Sequence, residues 1–161
     1  MRHGIAFEQD ASRWPDDRDR PLTDEGQAAF RKASRGLSRI VSRVDVLLSS
    51  PLVRARQTAE ILTEEAGWPE PASADALEPE RAAPDVVEAL RPYASEDTVA
   101  VVGHEPQLGR VIAFLLTGSD DSDSFSLKKG GAACVAFEGF PPEEAVLRWL
   151  LTPKIERALR S

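Results

Sequence analysis

Two stretches of this chain share one grammar. "VDVLLSSPLVRARQTAEIL" (44–62) and "DTVAVVGHEPQLGRVIAFLL" (97–116) each pass from a short, continuously apolar run through a few polar residues into an amphipathic helix. A strand that is apolar at every position, rather than at every second one, is buried on both faces, as happens where helices cover both sides of a parallel sheet. The repeated order strand, helix, strand, helix therefore predicts an α/β fold of three layers, α/β/α, with a mainly parallel central sheet. In such sheets ligands bind outside the carboxyl ends of the strands, so the residues at the two junctions are the first candidates for function.

The remaining segments fit around these two. "PLTDEGQAAFRKASRGLSRIV" spaces Leu22, Gly26, Ala29, Phe30, Ala33, Leu37, Ile40 and Val41 by threes and fours, which predicts a helix with Thr23 as its N-cap. In the second helix Ser50 is expected as the cap, Pro51 at the first helical position and Gly67 as the stop. "PDVVEALRPY" predicts a shorter helix, and "GAACVAF" and "AVLRWLL" two late strands joined by the turn-rich "EGFPPEE". The stretch from Trp68 to Pro84 and the acidic "SDDSD" at 119–123 are expected to be surface loops.

At 161 residues the chain has room for one ordinary domain, 1–161. Its net charge of −7 argues against nucleic-acid backbone binding, which draws its affinity from Lys and Arg, so any phosphate chemistry has to use a local cluster. The single cysteine, Cys134, excludes an internal disulfide and is read as a core residue of a strand. With no basic, apolar leader and no apolar run of about 18 residues or more, the expected location is the cytoplasm, with no membrane partner. The expected state is a monomer.

Only two histidines occur, His3 in "RHG" and His104 in "VVGHEP". A lone histidine is more often a structural residue than a catalyst, but His104 lies directly after an apolar strand and before a helix. Arg54 holds the same kind of position in "SSPLVRARQT", at a helix start that already favours anions. If "RHG" also ends a strand, then Arg2, His3, Arg54 and His104 converge. Two guanidiniums hold phosphoryl oxygens by forked, charge-assisted bonds, nearby cations keep an imidazole neutral, and a neutral imidazole can attack phosphorus. Gly4 is expected to let the backbone come close to the phosphoryl group.

These residues resemble the histidine phosphatase superfamily, with its phosphoglycerate mutase-like fold, and within it the SixA-type phosphohistidine phosphatases. The resemblance runs through "RHG", "DRDRPLTDEG", "LLSSPLVRARQTAEIL", "VGHEPQL", "KKGGAACVAFEG" and "LRWLLTPK", in that order. It implies that His3 is the nucleophile, that Arg2 and Arg54 bind the phosphoryl group, that His104 stabilises it from the opposite side, and that neither metal nor organic cofactor takes part. The implied partner is a phosphorylated signalling protein, such as a histidine-phosphotransfer domain. The implied activity is phosphohistidine hydrolysis through a phosphohistidine intermediate. A small-molecule phosphomonoesterase of the same superfamily and a non-catalytic phosphoprotein-binding module are the alternatives.

Relatives of this type carry a short apolar strand ending in "RHG", of which only Met1 stands here, so the first strand is expected to be truncated and the reading frame to start upstream. An acid to protonate the leaving group has no unambiguous counterpart: Glu78, Glu80 and Glu105 are candidates, but each reads first as an ordinary charged loop residue. Lacking an obvious acid, the chain resembles SixA-type proteins. That favours an N-phosphoryl substrate, because imidazole leaves more readily than an alkoxide. Asp17 to Pro21, "DRDRP", lacks the preceding apolar strand of an aspartyl-phosphate phosphatase, and Phe140 stands where a cysteine phosphatase built on Cys134 would need arginine. Lys128 and Lys129 are read as a solvated turn or part of a substrate entrance.

Overall fold

The structure, a computed structural model, describes residues 1–121 and 124–159. In chain order the elements are α1 (Asp24–Leu37), β1 (Val46–Ser49), α2 (Val53–Ala66), β2 (Ala72–Ser73), α3 (Ala83–Glu88), β3 (Val99–Val102), α4 (Gln107–Thr117), β4 (Ala132–Phe137), β5 (Ala145–Leu151) and α5 (Pro153–Ala158). One-turn 3₁₀ helices lie at Asp17–Asp19, Asp75–Leu77 and Arg91–Tyr93.

β1 lies between β2 and β3, parallel to both, with Val46 opposite Val99 and Ser49 opposite Val102. Residues 1–3 extend the sheet on the far side of β3. The Met1 nitrogen donates to the Val101 carbonyl, Gly103 N–H to Met1 and His3 N–H to Gly103, while Arg2 N–H crosses to Gly131. That last bond joins the parallel strands to the antiparallel β4–β5 hairpin. The arrangement is the expected mainly parallel sheet between helical layers.

Strand alternation separates two cores. Leu47 and Val102 join Phe30, Ala33, Leu37, Ala55, Ala59 and Leu62, beneath α1 and α2. The adjacent Leu48 points the other way, to Leu77, Val86, Val87 and Val111 beneath α3 and α4. Both leucines are buried to within 2% of full coverage, so truncating either to alanine costs roughly 2–5 kcal/mol. The apolar run thus serves both faces at once.

Several expectations are corrected. Thr23 caps α1 as expected, its Oγ1 accepting from Gly26 N–H at 2.9 Å, but α1 ends at Leu37 and leaves Ile40 41% exposed. Ser50 does not cap α2, whose N-cap is Leu52 without a side-chain bond. The stretch from Trp68 to Pro84 is more than a surface loop: it contributes β2 and buries Trp68 and Leu77, because β1 needs a neighbour on its outer edge. The closing helix α5 went unread because its six residues are too few to show a periodicity. Its Glu156 is fully buried, and burial pushes that carboxyl up to about 8, so it is protonated at neutral pH. Cys134 lies half-buried in β4, and Ser122 and Asp123 of the acidic patch lie outside the described residues.

Candidate active site

The strand register assembles the site. Ser49 is level with Val102, and Arg2 bridges Gly103 in parallel, so the residues that follow leave the sheet abreast. His3 and His104 therefore meet with ring centroids 5.2 Å apart, planes inclined by 57°, both rings buried. Ser50 arrives from β1 beside them, its Oγ 2.9 Å from His104 Nε2. The hydroxyl expected to cap α2 accepts from Leu52 N–H at 3.3 Å, ahead of the helix, and holds an imidazole as well.

His3 has a defined tautomer. Its Nδ1 lies 2.7 Å from the Gly4 carbonyl, and a carbonyl only accepts, so Nδ1 carries the hydrogen and Nε2 of the neutral ring keeps its lone pair. His3 is lowered to about 3, by burial first and then by the charges of Arg54, Arg2 and Arg20, against the opposing help of the Gly4 bond. His104 is likewise lowered to about 3, by burial first and then by His3 and the same arginines. Both rings are neutral at physiological pH.

The two expected arginines frame this pair. Arg2 Nη1 donates to the Leu127 carbonyl at 2.9 Å. Arg54 is buried at the start of α2; its Nη1 donates to the Asp17 carbonyl at 2.8 Å and its Nη2 lies 3.1 Å from the Asp17 carboxylate. Arg20 grips the same carboxylate at 2.7 Å and the Phe7 carbonyl at 2.6 Å. Arg2 Nε and Arg54 Nε are buried without a hydrogen-bond partner among the described residues, a condition that costs free energy unless a ligand accepts from them. Three guanidiniums around two neutral imidazoles suit an oxyanion rather than a metal cation.

The other expected residues divide. Gly4 adjoins His3, but its N–H donates to Thr58 Oγ1 at 3.0 Å and is committed within the protein. A Cβ there would lie 3.4 Å from Leu22, an ordinary contact, so the glycine is not required by crowding. Glu78 pairs with Arg18 at 3.1 Å, Glu105 accepts from Leu127 N–H at 3.0 Å, and Glu80 is exposed. Lys128 and Lys129 are exposed beside Gly130, whose N–H donates to the His3 carbonyl at 2.8 Å. Asp17, Arg20, Ser50 and Thr58 escaped sequence reading as parts of the site. The signal for two of them was "DRDRP", which carries part of the resemblance and fails as a nucleophile motif, with no role assigned to its residues.

Comparison with known proteins bears on these residues. The sequence profile of the histidine phosphatase superfamily (branch 1) matches residues 1–78, which include Arg2, His3 and Arg54. An uncharacterized protein of Picosynechococcus sp. is 36% identical over 136 residues, covering 81% of this chain and 79% of that one. The protein histidine phosphatase SixA, solved in complex with tungstate, superposes with a TM-score of 0.83 at 25% identity, covering 96% of each chain. The α-ribazole phosphatase of Shigella flexneri shares the fold, with a TM-score of 0.74 at 17% identity over 95% of each chain.

Proposed function

Because the chain belongs to the histidine phosphatase superfamily and is a phosphatase of that superfamily, we propose that it hydrolyses phosphohistidine on a protein by way of a phosphorylated His3. The observation that carries this reading is the His3 ring: neutral, with Nδ1–H held by the Gly4 carbonyl and the Nε2 lone pair free. Arg2 and Arg54 bind the phosphoryl oxygens, and His104 stabilises the group from across the site. His3 Nε2 forms the new N–P bond as the bond from phosphorus to the substrate imidazole breaks, and that imidazole takes up a proton from solvent, which the second step returns. Water then attacks the phosphorus of phospho-His3, releasing inorganic phosphate and returning the lone pair to Nε2. Guanidiniums positioned in advance offset the charge on the equatorial oxygens at both steps.

Two findings support an N-phosphoryl substrate. The likeness to SixA spans nearly the whole of both chains. In addition, Glu78 and Glu105 are engaged elsewhere, and an imidazole leaving group needs less help from an acid than an alkoxide. The test compares phosphate release from a phosphorylated histidine-phosphotransfer protein, a phosphoserine peptide and a generic phosphomonoester. The expected result is preference for the first, an acid-labile, base-stable phospho-enzyme, and loss of both in His3→Ala. Equal rates on all three would defeat the substrate assignment; binding without turnover would make the domain a phosphoprotein-binding module.

A further inference from the structure

Arg2 is held by a backbone carbonyl, and a side chain anchored in that way is only as fixed as the backbone it grips. The carbonyl belongs to Leu127, in the segment that leads from α4 toward β4. That segment has no regular structure between residues 124 and 128 and needs other ties.

Three are visible. Leu127 is 1% exposed and packs with Leu108 and Ile112 of α4. The Phe125 carbonyl presses on the first turn of α4 so closely that a Cβ on Gly109 would lie 2.1 Å from its oxygen. The third tie is polar: Leu127 N–H donates to Glu105 Oε1 at 3.0 Å. Glu105 directly follows His104, so a carboxylate rooted beside the second histidine holds the residue whose carbonyl holds the first arginine. A hydrogen bond to an ionised acceptor is about twice as strong as a neutral one, which suits it to fixing a segment without regular structure.

We propose that Glu105 is a positioning residue for the phosphoryl clamp: through Leu127 it fixes the guanidinium of Arg2. The assignment rests on the reading of Arg2 as a phosphoryl ligand. It also accounts for the carboxylate next to His104 without asking it to act as an acid. Glu105→Ala leaves the Leu127 N–H without its acceptor and lets the 124–128 segment shift, so Arg2 loses its aim. Glu105→Gln keeps an oxygen acceptor at the same reach.

The test uses the full chain and reads orthovanadate affinity, hydrolysis of a generic phosphomonoester, and melting temperature. Glu105→Ala should weaken orthovanadate binding and raise KM by roughly tenfold, with kcat changed less, as when a supporting residue behind a ligand is removed. Glu105→Gln should stay within about threefold of wild type, since only the charge on the acceptor is lost. In an Arg2→Ala background, Glu105→Ala should add nothing further, because the group it aims is gone. Wild-type affinity in Glu105→Ala, or an equal loss with and without Arg2, would overturn the inference while leaving the phosphatase reading intact. If wild type binds orthovanadate without turnover, the catalytic reading fails and the Arg2-dependent comparison still decides the role of Glu105. If wild type does not bind the oxyanion, both fall.

Discussion

The imidazoles of His3 and His104 face each other at 5.2 Å, and both are buried among arginines that oppose protonation. Both rings are thereby neutral at physiological pH. This relationship makes the two histidines a source of acid sensitivity in the fold.

Each histidine is lowered from an ordinary 6.5 to about 3, so between those values the unfolded chain binds more protons than the folded one. Stability is therefore flat above pH 6.5 in this respect and falls as the pH drops toward 3, by up to about 1.4 kcal/mol per pH unit for each histidine. Urea unfolding at pH 7, 6 and 5 should show a shallower decline in the double variant His3→Asn/His104→Asn than in wild type. Parallel declines would contradict the burial-driven shift.

Asp17 holds Arg54 with its carbonyl and its carboxylate, and the carboxylate also holds Arg20. Asp17→Ala keeps the carbonyl and removes the carboxylate, which is 40% exposed and so worth less than a buried partner. KM for a phosphomonoester should rise roughly twofold to fivefold with little change in kcat. A fall confined to kcat would mean that Arg54 is not being held for binding.

Thr58 links the two halves of the site: its hydroxyl accepts from Gly4 N–H at 3.0 Å and donates to the Arg54 carbonyl at 2.7 Å. Thr58→Val keeps the shape but leaves a buried N–H unpaired, at about 1–3 kcal/mol. Because the Gly4 carbonyl anchors His3, kcat should fall as well, and Thr58→Ser should restore both. Denaturant midpoints and initial rates on the three proteins decide it.

Gly26, in the first turn of α1, lies where a Cβ would stand 2.1 Å from the Ile5 carbonyl. Alanine there gains up to about 1 kcal/mol in helix propensity but has to push the backbone that follows His3 and Gly4 aside, at roughly 1–3 kcal/mol or more. Sterics win, and Gly26→Ala should lower both stability and activity. Gly67→Ala, with φ 69° and nothing within 4 Å, should cost only about 1 kcal/mol and leave activity unchanged. The two melting curves and rates, compared side by side, check the distinction.

Legibility varied with how local the determining physics was. The β1–α2 and β3–α4 units could be read directly, because a buried strand and an amphipathic helix each carry a period within a dozen residues. His3, His104, Arg2 and Arg54 could be picked out because their residue types and their places at strand ends restrict the chemistry. Ser50 was misassigned because a serine before a helix satisfies a local rule, and only the pairing of β1 with β3 shows that an imidazole competes for its hydroxyl. "DRDRP" was legible as charged but not as the brace of Arg54, since its partner lies 37 residues further on.

Sequence alone determined the α/β alternation, the order of the strand ends and the chemical types that gather there, because those follow from patterns a few residues long. Tertiary structure alone decided that two histidines stand 5.2 Å apart, that both are neutral, and which neighbours hold the arginines. The physical reason is that burial, electrostatic shifts and hydrogen bonding depend on groups far apart in the chain. Parallel register brings them together, and no local pattern encodes their separation.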